Sequence, residues 1–460
     1  MKKKKLIWLG SVTPALLVLT GAFLVVIYAL LFLLAAQLEF SNRQVLSEQS
    51  LSIAESGVNY YRWHLAHAPD DFQDGTGGAG PYLHDFTDPE GNIVGQYSLE
   101  VIAPQDGSSI VTIRSTGHSN VNPSITRTIE AQYGQPSLAR YSFLQHAASW
   151  YGSGITVNGD VHSNTGIRMD GTNTARVTSA QEQYTCGSET GCSPATYMPG
   201  VWGAGGDTGL WEYPVPQVPF SLIQFNFDDM QQNAINDGLY LEASGARGYH
   251  LVFSSNGTVN VRRVTNTNYY YGYESDDGCQ RRYQRITGET SIGTYNVDDI
   301  PIIFAEDHLW VEGTVNGRIT VVAARFPTAS NEMNIWIRNN LLYAAYDGTN
   351  SLGLIAQHDI YFVRDIPNNF QVDAALMAQG GKIIRHGYFS WCQGTTQAIK
   401  DSLTINGAVI SFEKSYWNFG SGPTSGFITR TINYDGNLLF MPPPYFPVSG
   451  EYEFISWKEE

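Results

Sequence analysis

From Ala15 to Ala36 the chain runs 22 residues without a charge, ALLVLTGAFLVVIYALLFLLAA. As a helix this stretch spans ~33 Å, enough for a bilayer core of ~30 Å. It is apolar on every face, which a helix buried in a soluble core rarely is, so the pattern predicts a membrane span. From Gln37 to about His67 the pattern turns two-faced. Leu46, Ile53, Ala54, Val58, Tyr61 and Leu65 recur at helical spacing, while Arg43, Glu48, Glu55 and Arg62 take other faces. No proline interrupts this run and Gly57 is its weak point. The two stretches together predict one helix with two surroundings, lipid or like helices for the first half and a small domain for the second. Ala68-Pro69-Asp70-Asp71 ends it.

Period-two patterns follow. Gly95–Ala103, Ser109–Ser119 and Ile125–Tyr133 read as three antiparallel strands with one apolar face, with Asp106-Gly107 as a turn signal. A small sheet over residues 68–135 is what the helix stripe requires. Gly134-Gln135-Pro136-Ser137 reads as a linker. Beyond it, short strands ending in small or turn residues recur at His308–Ala324, Asn334–Ala345, Leu352–Val363, Phe370–Ile384 and Ser402–Phe412, after a first run at Gly154–Met169. Such repetition predicts a β-solenoid over 136–460, with a β-sandwich as the alternative. Residues from about 178 to 297 interrupt the repeat as an insert. They hold Trp202, Trp211, the proline-rich YPVPQVPF (Tyr213–Phe220) and the tyrosines Tyr269, Tyr270, Tyr271 and Tyr273. Met441-Pro442-Pro443-Pro444 opens an extended tail.

Lys2–Lys5 precede the span and no acidic residue occurs before Glu39, so residues 1–14 form a basic leader and the positive-inside rule keeps the N-terminus cytoplasmic. A signal peptide has a shorter apolar region, so the span is expected to stay as an anchor. Charge is −16, from 27 Lys/Arg against 43 Asp/Glu; without the leader lysines, 23 against 43 leaves −20 outside. That balance makes nucleic acid an unlikely partner. A charged fraction of 15% with 46 glycines, 27 tyrosines and 21 phenylalanines suits a β-rich extracellular protein over a helical cytosolic enzyme. Four cysteines outside the cytoplasm allow three pairings. Cys186–Cys192 with Cys279–Cys392 is the preferred one, and free buried thiols are the alternative.

The arrangement in Met1 to about Gly134 resembles type IV pilin-like proteins, most of all minor pilins and pseudopilins of the PilX type. The features that carry it are the Lys-rich leader, the continuing helix, SEQSLSIAESGVNYYRWHL (Ser47–Leu65) and the small meander. The family's Ala-Glu-small-Gly helix signature falls at Ala54, Glu55, Ser56 and Gly57. The resemblance implies a leader peptide cut between Gly10 and Ser11, and partners in the form of other pilin-like subunits joined through the helix. The fifth mature residue, usually Glu in major pilins, is Ala15 here, which implies a minor or pseudopilin role. VEGTVNGRITVVA and INGAVIS are similar to the right-handed β-helical exported domains fused to such N-termini.

Candidate chemistry is sparse. The acidic doublets Asp276-Asp277, Asp298-Asp299 and Glu306-Asp307 place neighbours on opposite strand faces and read as solvated turns rather than a catalytic pair. The ten histidines show no metal spacing, DGTN at Asp170 and Asp347 reads as a turn, and no phosphate-cradling glycine loop occurs. No cofactor, no metal and no enzymatic activity are expected. The one candidate ligand patch is Arg262, Arg263, Tyr269, Tyr270, Tyr271, Tyr273, Arg281 and Arg282, basic and aromatic in an acidic domain and suited to an extracellular glycan. The expected protein is a single-pass, membrane-anchored filament subunit with its C-terminal domain on the cell surface. A surface-tethered polysaccharide-active enzyme and a glycan-binding adhesin are the alternatives.

Overall fold

A computed structural model describes residues 12–104, 107–220, 227–393, 397–420 and 424–459. The cleavage site Gly10-Ser11 and Asp106 of the turn signal lie outside the described residues. The chain divides into two compact units. The first comprises the N-terminal helix, residues to Ala103, Ile110–Gly134 and Tyr452–Glu460; the second comprises Pro104–Ser109 and Gln135–Glu451.

In the first unit α1 runs unbroken from Val12 to His67, 56 residues and ~84 Å at 1.5 Å per residue. Val12–Val45 is exposed on every face, and burial begins at Leu46. The buried stripe is Ser50, Ile53, Ala54, Gly57, Val58, Tyr61 and Leu65, the i, i+3, i+4 spacing of one helix face. It lies on an antiparallel sheet of β1 (Tyr82–Thr87), β2 (Ile93–Ile102), β3 (Ile110–Ser119) and β4 (Thr126–Gly134). β3 alternates strictly, turning Val111, Ile113, Ser115 and Gly117 toward the helix. Small residues set the separation. A Cβ on Gly117 would collide with the helix backbone at Ser50 O and Ala54 N, and one on Gly57 would collide with Ser115 and the Tyr97 ring. The weak point of the helix therefore seats the Ser115 hydroxyl and the Tyr97 ring, while at Gly117 the strand backbone approaches the helix backbone directly. At the helix end, Tyr61 donates to Asp71 O at 2.9 Å and His64 Nε2 meets Asp71 at 3.0 Å.

Two boundaries differ from expectation. The C-terminal segment is not an extended tail of the second domain: Glu453–Glu459 pairs antiparallel with β4 and completes the first unit's sheet. An open β4 edge would leave unpaired backbone groups, and the strand covers it, with Phe454 edge-on to Tyr133 at 5.8 Å and Glu459 paired with Arg127 at 3.0 Å. The segment 178–297 is not wholly an interruption. Leu239–Leu241 and Gly248–Ser254 within it pair in parallel with Ile302–Ala305 and Leu309–Gly313.

The second unit is mainly β, and its ladders are mostly parallel. One in-register column of inward side chains runs Ile303, Val321, Leu354, Leu376, Val409, Phe143, Val161 and Val177. All eight are buried in one core. The order along the ladder is not the order along the chain: the rung after Ile399–Ser411 is Phe143–Gln145, from the domain's beginning. One residue over, the neighbouring column runs Phe304, Val322, Ile355, Met377, Ile410 and Leu144. It packs into a second core with Phe227, Met230 and Ala234 of the short helix Phe227–Asp237. Among the described residues two disulfides join Cys186 to Cys192 and Cys279 to Cys392, and no cysteine is free.

Gly117→Val forces the helix and sheet of the first unit apart. Overpacking of this kind costs about 2 kcal/mol. Hydrogen exchange of the β2 and β3 amides in the full chain is expected to quicken roughly 30-fold. Gly21→Ala, whose Cβ meets nothing within 4 Å, leaves it unchanged.

Candidate functional site

The signature residues of α1 sort by face. Ala54 and Gly57 are buried against the sheet and Glu55 is exposed. Helical spacing brings the two small residues to one side and leaves the acid on another.

The basic and aromatic patch lies on a long hairpin, Thr258–Glu274 and Gly278–Asn296. Its residues do not form one surface, because consecutive strand residues alternate faces. Tyr269, Tyr271, Arg281 and Tyr283 cluster together: Tyr269 lies 5.6 Å from Tyr271 and 5.4 Å from Tyr283, and the Arg281 guanidinium lies 4.8 Å over Tyr269. Tyr270 belongs elsewhere, under Arg364 at 3.4 Å and donating to Asp365. Tyr273 packs on Phe389, Trp391 and Phe419 beside the Cys279–Cys392 disulfide. Arg262 pairs with Glu289 and Arg282 with Asp277, while Arg263 is exposed. The eight-residue patch thus divides among several surroundings.

The hairpin's other face carries a buried ionic cluster. Lys382, 6% exposed, contacts Glu274 at 3.1 Å, Glu413 at 3.0 Å and Asp276. Glu274, 7% exposed, also faces His386 at 3.3 Å. Gln284 donates its amide to His386 Nδ1 at 2.9 Å, which puts the neutral ring's proton on Nε2, a buried atom near Glu274 but without a hydrogen-bond acceptor among the described residues. This imidazole ends an aromatic stack: Trp310 on Trp336 at 4.6 Å, Trp336 on Tyr361 at 5.9 Å, and Tyr361 on His386 at 4.9 Å. Burial alone would raise the Glu274 carboxyl, but His386 and Lys382 outweigh it and hold it at about 2. Burial pushes His386 down. Of the acidic doublets, Asp276-Asp277 and Asp298-Asp299 lie exposed in turns as expected, and Asp307 is the exception. Asp276 and Asp277 pair with Lys382 and Arg282, and Asp307 is buried, accepting from Ser244 N at 2.9 Å and Ser244 Oγ at 2.6 Å.

Sequence reasoning missed a cavity of about 430 Å³ in the second unit. The outer column Phe304 to Leu144 continues for three more rungs as His162, Thr178 and Glu212, apolar becoming polar. His162 lies in the floor with both nitrogens engaged. Nδ1 meets Thr178 Oγ1 at 2.9 Å and Nε2 meets Asn164 Oδ1 at 3.0 Å. Burial lowers its pKa, and the Asn164 contact offsets this in part. Asp160 and Arg176, one rung apart, form a pair at 2.9 Å on the rim. The proline-rich strap makes the opposite wall. Three prolines, Pro214, Pro216 and Pro219, leave it few N–H donors, and two of those remaining are tied to the rungs: Val215 N to Ser179 O at 3.0 Å and Val218 N to Asn164 Oδ1 at 3.0 Å. Asn164 also donates to Val218 O at 2.7 Å. The only signals in the sequence were the strap itself and the HSN of His162–Asn164. Among the described residues no group of three or more His, Cys, Asp or Glu could hold a metal ion.

No family model matches the chain, and no curated protein matches it. Among solved structures it is similar to the competence-associated pilin ComZ from Thermus thermophilus, at 14% identity and a TM-score of 0.28, over 90% of this chain and 97% of that one.

The ionic cluster contributes to the acid response of the second unit. Glu274 has a folded pKa below its ordinary 4.5, so its contribution is present above 4.5 and is lost as pH falls from there toward about 2. His386, depressed from 6.5, acts in the same direction from 6.5 downward. The denaturant midpoint is expected to fall between pH 6.5 and 3, and Glu274→Gln to flatten the lower part of that curve. Lys382→Met strands a buried carboxylate and costs about 3 kcal/mol or more at pH 7, measured by the same denaturation.

Proposed function

We propose that the chain is a membrane-anchored structural subunit of a type IV pilus-like surface filament, of the minor pilin or pseudopilin kind. The observation that carries this reading is the surface of α1. Its exposed part, Val12–Val45, is 34 residues or ~51 Å long, longer than the ~30 Å bilayer core requires. The most apolar window has a mean hydropathy of 2.8 and none of it is buried. Beyond the lipid length the helix still exposes Leu38, Phe40 and Val45 at 65%, 65% and 56%, beside the Glu39–Arg43 pair. Exposed apolar side chains on a helix that has already left the bilayer call for another protein surface. Like helices packed side by side supply one, so the same rod serves as tether and as assembly contact.

On this reading Lys2–Lys5 stay in the cytoplasm, the leader is removed between Gly10 and Ser11, and the second unit is a β-solenoid displayed at the cell surface. The in-register parallel columns support the solenoid over a sandwich, whose sheets are antiparallel.

Two measurements test the proposal. Phe32→Asp places a carboxylate in the span at about 3 kcal/mol, enough to move a substantial share of the chain out of the membrane fraction. Cysteines introduced together at Leu17 and Phe40 are expected to give oxidative crosslinks between copies of this chain in sheared surface fibres, whose mature chains begin at Ser11. Membrane retention without any chain in the fibres leaves an anchored protein and removes the filament role.

A further inference from the structure

The cavity beneath the proline-rich strap has a built floor, a charged rim and a volume within the range of small-molecule sites. Its chemistry selects among ligand classes. Arg140 and Arg176 bring donors to the lining, while Asp160 and Glu212 bring acceptors. An anion finds no surplus of positive charge, because the two arginines share the lining with two carboxylates, Arg176 is paired with Asp160 at 2.9 Å and Glu212 repels it. An organic cation meets the two arginines. A wholly apolar ligand would strip water from the charged rim without replacing its hydrogen bonds. What remains is a neutral molecule rich in groups that both donate and accept, with apolar faces for the strap prolines and the Tyr141 ring.

We infer that this cavity binds a neutral saccharide unit. Sugar hydroxyls bridge guanidinium donors and carboxylate acceptors, and C–H faces lie against proline and tyrosine. The site is built for binding rather than turnover, since both nitrogens of His162 are spent in the floor and Asp160 is held by Arg176. The parallel ladder fixes the rim: Asp160 and Arg176 precede rungs Val161 and Val177, which pair directly, and Glu212 lies in register with Thr178. The inference stands independently of whether α1 assembles into a filament.

The test uses the full chain in a non-glycosidic detergent, with cellotriose, maltotriose and N-acetylchitotriose as neutral probes and glucuronate and inorganic phosphate as anionic ones. Binding is read by isothermal titration calorimetry and saturation-transfer NMR. At least one neutral probe is expected to bind and to survive uncleaved. Glu212→Gln is expected to weaken it at least about tenfold through one charge-assisted hydrogen bond. Gln217→Trp, on an exposed lining position, is expected to abolish binding by filling the mouth, with the melting midpoint unchanged. Binding by none of the three, binding that survives Gln217→Trp, or tighter binding of phosphate or glucuronate overturns the inference.

Discussion

In an in-register parallel ladder each side chain rests on its counterpart one rung away, so a column must be chemically compatible along its whole length. The second unit depends on this constraint. Ile303, Val321, Leu354, Leu376, Val409, Phe143, Val161 and Val177 satisfy it with branched and aromatic groups that pack on one another at strand spacing. Asn406 and Asn433 satisfy it differently, with Asn158 donating to Asn433 and Asn433 to Asn406 at 2.8 Å each, and Asn406 to Asp373 at 2.7 Å. A half-buried amide in such a stack keeps its partner because the next rung presents another amide, or at the end the Asp373 carboxylate, at the same place.

The first unit answers a different constraint, that of one helix in two solvents. Lipid or like helices accept apolar residues on all faces, but a sheet accepts only a stripe. The transition falls at Leu46 with the helix continuous through it and no proline there. Close seating then fixes residue size at the contact, and this explains why Ala54, Gly57, Ser115 and Gly117 are small. A larger stripe would bury more area but would lift the helix from the glycines of β2 and β3.

These two constraints differ in how they are written along the chain. The helix stripe was legible because its partners lie within a turn of one another: Ile53, Ala54, Val58, Tyr61 and Leu65 show their period to any local reading. A column is written across distant segments, as when Val409 rests on Phe143. The strand-like runs were visible, but which run lay on which was not, so the polar continuation His162, Thr178, Glu212 had no local signature. The tyrosine run misled for the converse reason, since adjacency suggested a patch that strand alternation divides. Glu453–Glu459 escaped notice because edge strands need little burial, and its Phe454 is 57% exposed. Asp307 looked like a turn residue until Ser244, 63 positions earlier, closed over it.

The same constraint says where chemistry can occur in the second unit. In mid-column a polar side chain is sandwiched between neighbours and its groups must be spent on them. At a column's end, or where a column changes character, one side is released. His386 marks the first kind of place: the aromatic stack from Trp310 stops at its ring, and ionic partners take over beyond it. Glu212 marks the second, where an apolar column of six rungs gives way to polar ones and the strap bridges the gap instead of filling it. The two places differ in what closes them. Around Lys382 three carboxylates converge and the charges are consumed internally, so the cluster is cement. Beneath the strap, the prolines hold their distance by having few donors to spend, and the charged rim residues Asp160, Arg176 and Glu212 line a cavity. Of the two, only the second leaves room for another molecule.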